Sequence, residues 1–319
     1  MLRNICRVGA LLSALAAMSA NAQDFKVTLL GTGSPFPDSN RFSAATLVEA
    51  GPEKLLFDVG RGATIRLNQI GVPMGAINAV FITHFHSDHT SGLPDLWLTG
   101  WIQRYYGNRK SPFRIIGPKG TASLMQNLER AYWDDIRIRY LDEKNPMEGI
   151  AIAPSEFDTD GPVYERNGVK VTAFEVDHGV FIKPAYGYRV DYDGRSVVIS
   201  GDTRFSENLI THAMGANLIV HEVAMANQAY YDQTPVVRYI MAHHISPAEA
   251  GELFRRTEPK LAAFTHFVFL GAPGFPAPTP DDLVPKVREK YSGPLALGVD
   301  LTAFEIGKDE VRVIQPGAK

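Results

Sequence analysis

FITHFHSDHTSG, residues 81–92, places three of the chain's nine histidines and an aspartate within six residues. The apolar run AVFIT, residues 79–83, leads into it and reads as a buried strand, so the cluster opens at the strand's C-terminal end. His84 and His86 are two apart, and Asp88 and His89 follow at once. In a loop, that spacing turns His84 and His86 toward one cation and Asp88 and His89 toward a second, with Gly92 permitting a tight turn. Neutral imidazole and carboxylate suit zinc, with manganese or iron as alternatives. The plainer reading is a histidine-rich surface loop or helix cap. A lone histidine would deserve it; four donors in six residues at a strand end do not.

Working outward, short apolar runs alternate with amphipathic stretches. FKVTLL, KLLFDV, AVFIT, FRIIG, VKVTAFEV, GYRVDY, SVVIS, NLIVHEV, LAAFTH and VRVI read as strands. ATIRLNQIG, DLWLTGWIQRYYG, TASLMQNLERAYW, PAEAGELFRRTE and DLVPKVREKY read as helices. YRVDYDGRSVVI is a hairpin turning at Asp193-Gly194. Such alternation predicts an α/β layered fold. HISPAEAGELF marks one helix start, with Ser246 as N-cap, Pro247 at the first helical position and Glu249 completing a capping box. His244 is thereby held just before that helix.

The ends and the charge narrow the class. Residues 1–22 carry Arg3 and Arg7, a short apolar stretch and a small-x-small ending at Ala20-Asn21-Ala22. This reads as a secretory signal peptide cleaved after Ala22, which places residues 23–319 in the periplasm or outside the cell as one domain. The only cysteine, Cys6, falls inside the signal, so ligands in the mature chain are nitrogen or oxygen. Loss of Arg3 and Arg7 takes the formal charge from −3 to −5. With no basic tract, the composition argues against a nucleic-acid partner. No further apolar run is long enough to span a membrane.

Four clustered residues cannot fill two coordination shells. His178 after FEVD, Asp202 after VVISG and His266 in LAAFTHF lie where strands end, and this shared position makes them candidates. At this point a resemblance becomes specific. LLGTGSPFPDSNR, LLFDVGRGAT, THFHSDHTSGL, DHG with AYGYRV, SGDT, HHISPAEA and FTHF resemble, in order, the motifs of the metallo-β-lactamase fold superfamily in its tRNase Z-like and arylsulfatase-like branch. The resemblance covers nearly all of residues 25–310. It implies a four-layer αβ/βα sandwich with two metal ions, one held by His84, His86 and His178, the other by Asp88, His89 and His266, with Asp202 between them. Asp58 would orient a ligand. The resemblance also implies a general-acid pair, His244 donating the proton and Glu222 orienting it, with His243 as the other possible donor and Asp88 counted in the catalytic set. His221 and His212 read as structural.

Two such ions, about 3.5–4 Å apart, supply a nucleophile from water near neutral pH and clamp a tetrahedral centre. The expected activity is hydrolysis of small phosphodiesters or sulfate esters. A β-lactamase or lactonase is the alternative, and a catalytically inactive metal-binding protein the reading outside enzymes. The tRNase Z enzymes resembled here carry an arm between their third and fourth motifs, whereas His178 and Asp202 lie 24 residues apart and a hairpin fills the gap. THFVFL also departs from the Thr-His-Phe-Ser-x-Arg-Tyr of the tRNA enzymes. The expected partners are a small ester and, by the resemblance, a second copy of the chain. Trp97, Trp101 and Tyr105 share a helical face. Core packing is the preferred reading of it, and an aromatic wall beside the metals the other. FVFLGAPGFPAPTP is a candidate second wall.

Overall fold

The structure is a computed structural model that describes residues 24–317; the signal peptide read over residues 1–22 lies outside the described residues. The chain lays down β1 (Phe25–Gly31), β2 (Ala45–Ala50), β3 (Glu53–Phe57), β4 (Ala79–Phe81), β5 (Phe113–Pro118) and β6 (Ile152–Phe157) in one sheet. It then crosses to a second sheet for β7 (Gly161–Arg166), β8 (Val169–Glu175), β9 (Tyr186–Tyr192), β10 (Arg195–Ile199), β11 (Leu218–Ala226), β12 (Leu261–Leu270) and β13 (Leu295–Leu297). β14 (Ala303–Ile306) and β15 (Val311–Ile314) return to the first sheet, where β14 pairs antiparallel with β1. The helices are α1 (Ala63–Gln69), α2 (Ser87–Thr90), α3 (Leu93–Trp101), α4 (Thr121–Ala131), α5 (Trp133–Leu141), α6 (Met147–Ile150), α7 (Glu207–Ala213), α8 (Gln228–Gln233), α9 (Pro235–Met241), α10 (Pro247–Thr257) and α11 (Pro280–Arg288).

Three apolar cores separate four layers. Phe25, Val27, Phe57, Phe81, Tyr188 and Val220 fill the space between the sheets. Leu47, Val80, Leu67, Trp97, Trp101 and Met125 fill the space between the first sheet and its helices. Ile219, Phe264, Leu209, Leu253, Phe254 and Val287 do so on the far side of the second sheet. Central strands such as β1 and β10 are therefore buried on both faces, which is why they read as continuous apolar runs. The expected four-layer αβ/βα sandwich is the architecture observed.

Several boundaries differ from expectation. The helix predicted through Tyr105 ends at Trp101; Tyr105 stands outside it and is 82% exposed, so it forms no wall. Trp97 and Trp101 are fully buried, and their indole N–H groups donate to the carbonyls of Ile150 (2.9 Å) and Pro146 (2.7 Å), which is the core-packing reading. Truncating Trp101→Ala leaves a cavity under the first sheet and is expected to cost about 3–5 kcal/mol, read as a lower denaturant midpoint at constant slope. The stretch TASLMQNLERAYW breaks at Tyr132 into α4 and α5. Asp193 and Gly194 both have positive φ, and the hairpin they turn pairs β9 with β10 in the middle of the second sheet. The capping box at Ser246 and Glu249 is present. Among the described residues no helix is long and apolar enough to cross a membrane.

Candidate metal centre

The candidate donors are presented by the ends of three strands and an irregularity of a fourth. After β4, His84 and His86 lie in an extended segment, and the short α2 carries Asp88 and His89. His178 follows β8 and Asp202 follows β10. Gly201 has φ 60°, and a Cβ there would stand 2.6 Å from the Tyr186 carbonyl oxygen, so the approach to Asp202 requires glycine. His266 differs from expectation: it lies inside β12, not at its end. The β11–β12 register jumps between His221–Phe264 and Val223–Phe267, so Thr265 and His266 together oppose Glu222. His266 takes φ 43° at this bulge. A bulge re-aims side chains, here bringing His266 beside His89 and Asp88 and its opposite number Glu222 beside His244.

The donor atoms converge in two groups, His84, His86, His178 and Asp202 in one, Asp88, His89 and His266 in the other. His84 Nε2 lies 3.0 Å from His86 Nδ1, which is 3.3 Å from His178 Nε2. His89 Nε2 lies 3.3 Å from His266 Nε2, which is 3.1 Å from Asp88 Oδ2. One oxygen of Asp202 faces both groups, 3.4 Å from the Nε2 atoms of His89 and His266, 3.7 Å from that of His178 and 4.0 Å from that of His84. Thus the seven residues expected to hold metal are brought together.

The residues behind the donors set which ring nitrogen is free. His89 Nδ1 donates to Asp58 Oδ2 at 2.7 Å, and Asp58 also accepts from the Thr83 amide and hydroxyl at 2.8 Å each. Asp58 is therefore a buried anchor for His89 and not a donor in either group. His178 Nδ1 donates to the His243 carbonyl at 2.9 Å. His84 Nδ1 lies 3.0 Å from Thr83 Oγ1. In each case Nε2 points inward with a lone pair. Sequence reasoning had no signal for Thr83 or for the His243 carbonyl, since their role is read only from distance.

A cation fits this donor set. Imidazole nitrogens facing one another at 3.0–3.3 Å cannot all share protons, and that spacing matches ligands gathered about one ion at bonds of about 2.1 Å. Burial holds His84 well below the ordinary imidazole range and brings His178 down to about 4, so both are neutral and ready to donate. Burial disfavours charge on Asp202, but His266 and His89 outweigh it and hold its carboxyl well below the usual range. The donors are nitrogen and oxygen only. A chelator is expected to lower the thermal midpoint and added zinc to restore it; an ion at 100 times its dissociation constant contributes about 2.7 kcal/mol, read by calorimetry.

Beside these groups stands an imidazole–carboxylate pair. His244 Nδ1 lies 3.0 Å from Glu222 Oε1, which also accepts from the Thr203 amide at 3.0 Å. The His244 ring centroid is 5.0 Å from that of His178 and 6.0 Å from that of His266. Burial opposes charge on His244, but the Glu222 carboxylate outweighs it and raises the imidazole to about 9. Among the described residues His243 has no such carboxylate partner, and it contributes its carbonyl to His178. His221 is buried against Phe254, its Nδ1 2.8 Å from the Glu222 carbonyl oxygen, and His212 stacks on Phe174, so both stand outside the donor groups.

The two packed sheets with paired histidine–aspartate groups at their edge define a metallo-hydrolase of the metallo-β-lactamase fold. Residues 25–234 match the family described as anti-Pycsar protein Apyc1. The chain is 34% identical over 281 residues to ribonuclease Z of Mycobacterium bovis (strain BCG / Pasteur 1173P2), covering 88% of this chain and 98% of that one, and likewise to ribonuclease Z of Mycobacterium marinum. This chain belongs to that family of ribonuclease Z-related and Apyc1-related proteins. Solved structures agree on the fold: the metallo-β-lactamase fold protein YhfI from Bacillus subtilis (TM-score 0.68, 20% identity, 88% of this chain and 98% of that one) and human tRNase Z, short form (TM-score 0.64, 23% identity, 88% and 99%). A diphosphatase of the PhnP family matches with TM-score 0.60 at 16% identity, over 89% of this chain and 98% of that one.

Proposed function

We propose that this chain is an exported hydrolase of small phosphodiesters or sulfate esters that works with two divalent cations, zinc foremost. The observation that carries the reading is the His244–Glu222 pair beside two donor groups that face the same Asp202 oxygen. His84, His86 and His178 would hold one cation and Asp88, His89 and His266 the other, with Asp202 serving both. When bound, the cations supply an activated water and stabilise charge on the attacked tetrahedral centre. The chain's own residues do the rest. Asp58, Thr83 and the His243 carbonyl keep the donor rings oriented. Glu222 keeps His244 protonated and aimed, and His244 gives its Nε2 proton to the departing oxygen.

The signal-like residues 1–22 support export. The small substrate is supported by the segment between His178 and Asp202, which is spent on the β9–β10 hairpin inside the second sheet. A second reading, cleavage of RNA, draws support from the 34% identity to ribonuclease Z. The test is a hydrolysis panel on residues 23–319 loaded with zinc or manganese, with Asp202→Ala as blank. It contains bis-nitrophenyl phosphate, nitrophenyl sulfate, a chromogenic cephalosporin, a lactone and a precursor tRNA. Turnover of the diester or sulfate is expected. Turnover confined to the cephalosporin or lactone would move the chemistry to a carbonyl, and turnover confined to the tRNA would select the second reading.

A further inference from the structure

The loop between β1 and β2 holds a cluster that the chemistry above does not use. Arg41 Nη1 donates to Thr32 Oγ1 (2.8 Å) and to the Gly298 carbonyl (3.0 Å), and its guanidinium lies 4.6 Å from the ring centroid of Phe267, the residue after His266. Thr32 is itself fixed by Asp300 Oδ1, which accepts from its amide (2.9 Å) and hydroxyl (2.8 Å). Asp300 Oδ2 accepts from the Phe42 amide and from Nε and Nη2 of Arg66, so this carboxylate is paired with Arg66 and not with Arg41. Burial lowers the Arg41 pKa although Asp300 and Asp38 nearby raise it.

Arg41 and Arg61 line one cavity of about 180 Å³ with Asp38, Ser39 and Ser43. Among the described residues, neither guanidinium is in ion-pair contact with a carboxylate, in contrast to Arg66 on Asp300. The cavity abuts the metal-facing segment. A Cβ on Gly60, the residue before Arg61, would stand 2.3 Å from the Asp88 carbonyl oxygen and 2.7 Å from Ser43 Cβ. The Val59 amide donates to the His89 carbonyl at 2.8 Å. Gly60 thus packs between Ser43 and the Asp88 carbonyl, and Arg61, the next residue, is exposed beside that contact.

We infer that this cavity is an anion-binding subsite, built by Arg41 and Arg61, that takes a phosphate-type oxyanion. Guanidinium forks match such an oxyanion in shape and hold it through charge-assisted hydrogen bonds. Asp38 leaves the lining with one net positive charge, enough to prefer an anion to a neutral group. On the diesterase reading above, on which this extension rests, the substrate is an ester that carries a second anionic group beyond the bond that breaks.

The first test measures binding of inorganic phosphate by calorimetry to the full chain stripped of metal with a chelator. Saturable binding is expected, weakened about tenfold or more in Arg61→Ala, since hydrogen bonds to a charged group are worth about 1.5–3 kcal/mol, and partly kept in Arg61→Lys. Arg61 is exposed, so thermal midpoints of the variants should match the parent and exclude misfolding. No binding, or binding equal in Arg61→Ala, overturns the subsite. The second test compares KM for the 4-nitrophenyl ester of thymidine 5′-monophosphate with and without a second phosphate at the 3′ position. A KM about tenfold lower for the bis-phosphate, falling to parity in Arg61→Ala, is expected; equal KM values in the parent overturn the substrate assignment. If neither ester turns over, the diesterase reading fails, and the phosphate titration still decides the cavity.

Discussion

Asp202→Ala is expected to lower turnover of any substrate in the panel by at least about 10³-fold and to reduce the metal content of the purified chain. Removing one preorganised charge partner costs about 10²–10³, and Asp202 faces two donor groups at once, its Oδ2 within 3.4–4.0 Å of four imidazole nitrogens. Without it, the Nε2 atoms of His89 and His266 lose the carboxylate oxygen that faces both at 3.4 Å. Two readouts are needed, steady-state kinetics and metal analysis by mass spectrometry. Full metal content with full activity would remove Asp202 from the centre.

His244→Ala is expected to lower kcat by about 10²–10⁴, the range for a positioned proton donor, while the metal content stays that of the parent. The loss should be largest for an alkyl leaving group and smallest for nitrophenolate, which departs without a proton. A loss independent of the leaving group would make His244 a structural support. The pH dependence follows with its sign. A proton donor must be charged, so activity falls as pH rises through its pKa, which Glu222 raises to about 9. Bound cations oppose the imidazolium and draw the alkaline limb below that value. Glu222→Gln removes the raising charge and shifts the limb further toward acid. A limb that stays in place in Glu222→Gln would sever the pair.

The donor set was legible because the fold family writes it in short local strings. His84, His86, Asp88 and His89 are one segment, His178 and Asp202 each follow an apolar run that is a strand here, and His266 follows the apolar first half of β12. The bulge at His266 was not legible, because it is a relation between β11 and β12 and leaves no mark in FTHF itself. Among the elements, β2 was overlooked because Glu49 interrupts its apolar pattern, and that carboxylate is held by Lys26 and Lys54 on neighbouring strands. β6 carries Pro154 and is half exposed at the sheet edge, so IAPSEF reads as a loop. The Arg41–Thr32–Asp300 network joins residues more than 250 positions apart and had no local signal at all. Tyr105 was placed on a helical face by spacing alone, and the helix stopped four residues earlier.

The pairing of β1 with β14 also has a kinetic meaning. Lys26 meets Glu305 and Val27 meets Phe304, so the first strand made waits for nearly the last before its outer edge is closed. Contacts of such high sequence separation are formed late and slow the search for the native state. The donors follow the same schedule, since His84 and His266 lie 182 positions apart. A growing chain therefore owns the HFHSDH string but no complete cage. Tight capture of the cations becomes a reporter of completed folding, and the rate at which the chain acquires zinc on refolding should equal the rate at which its two sheets close.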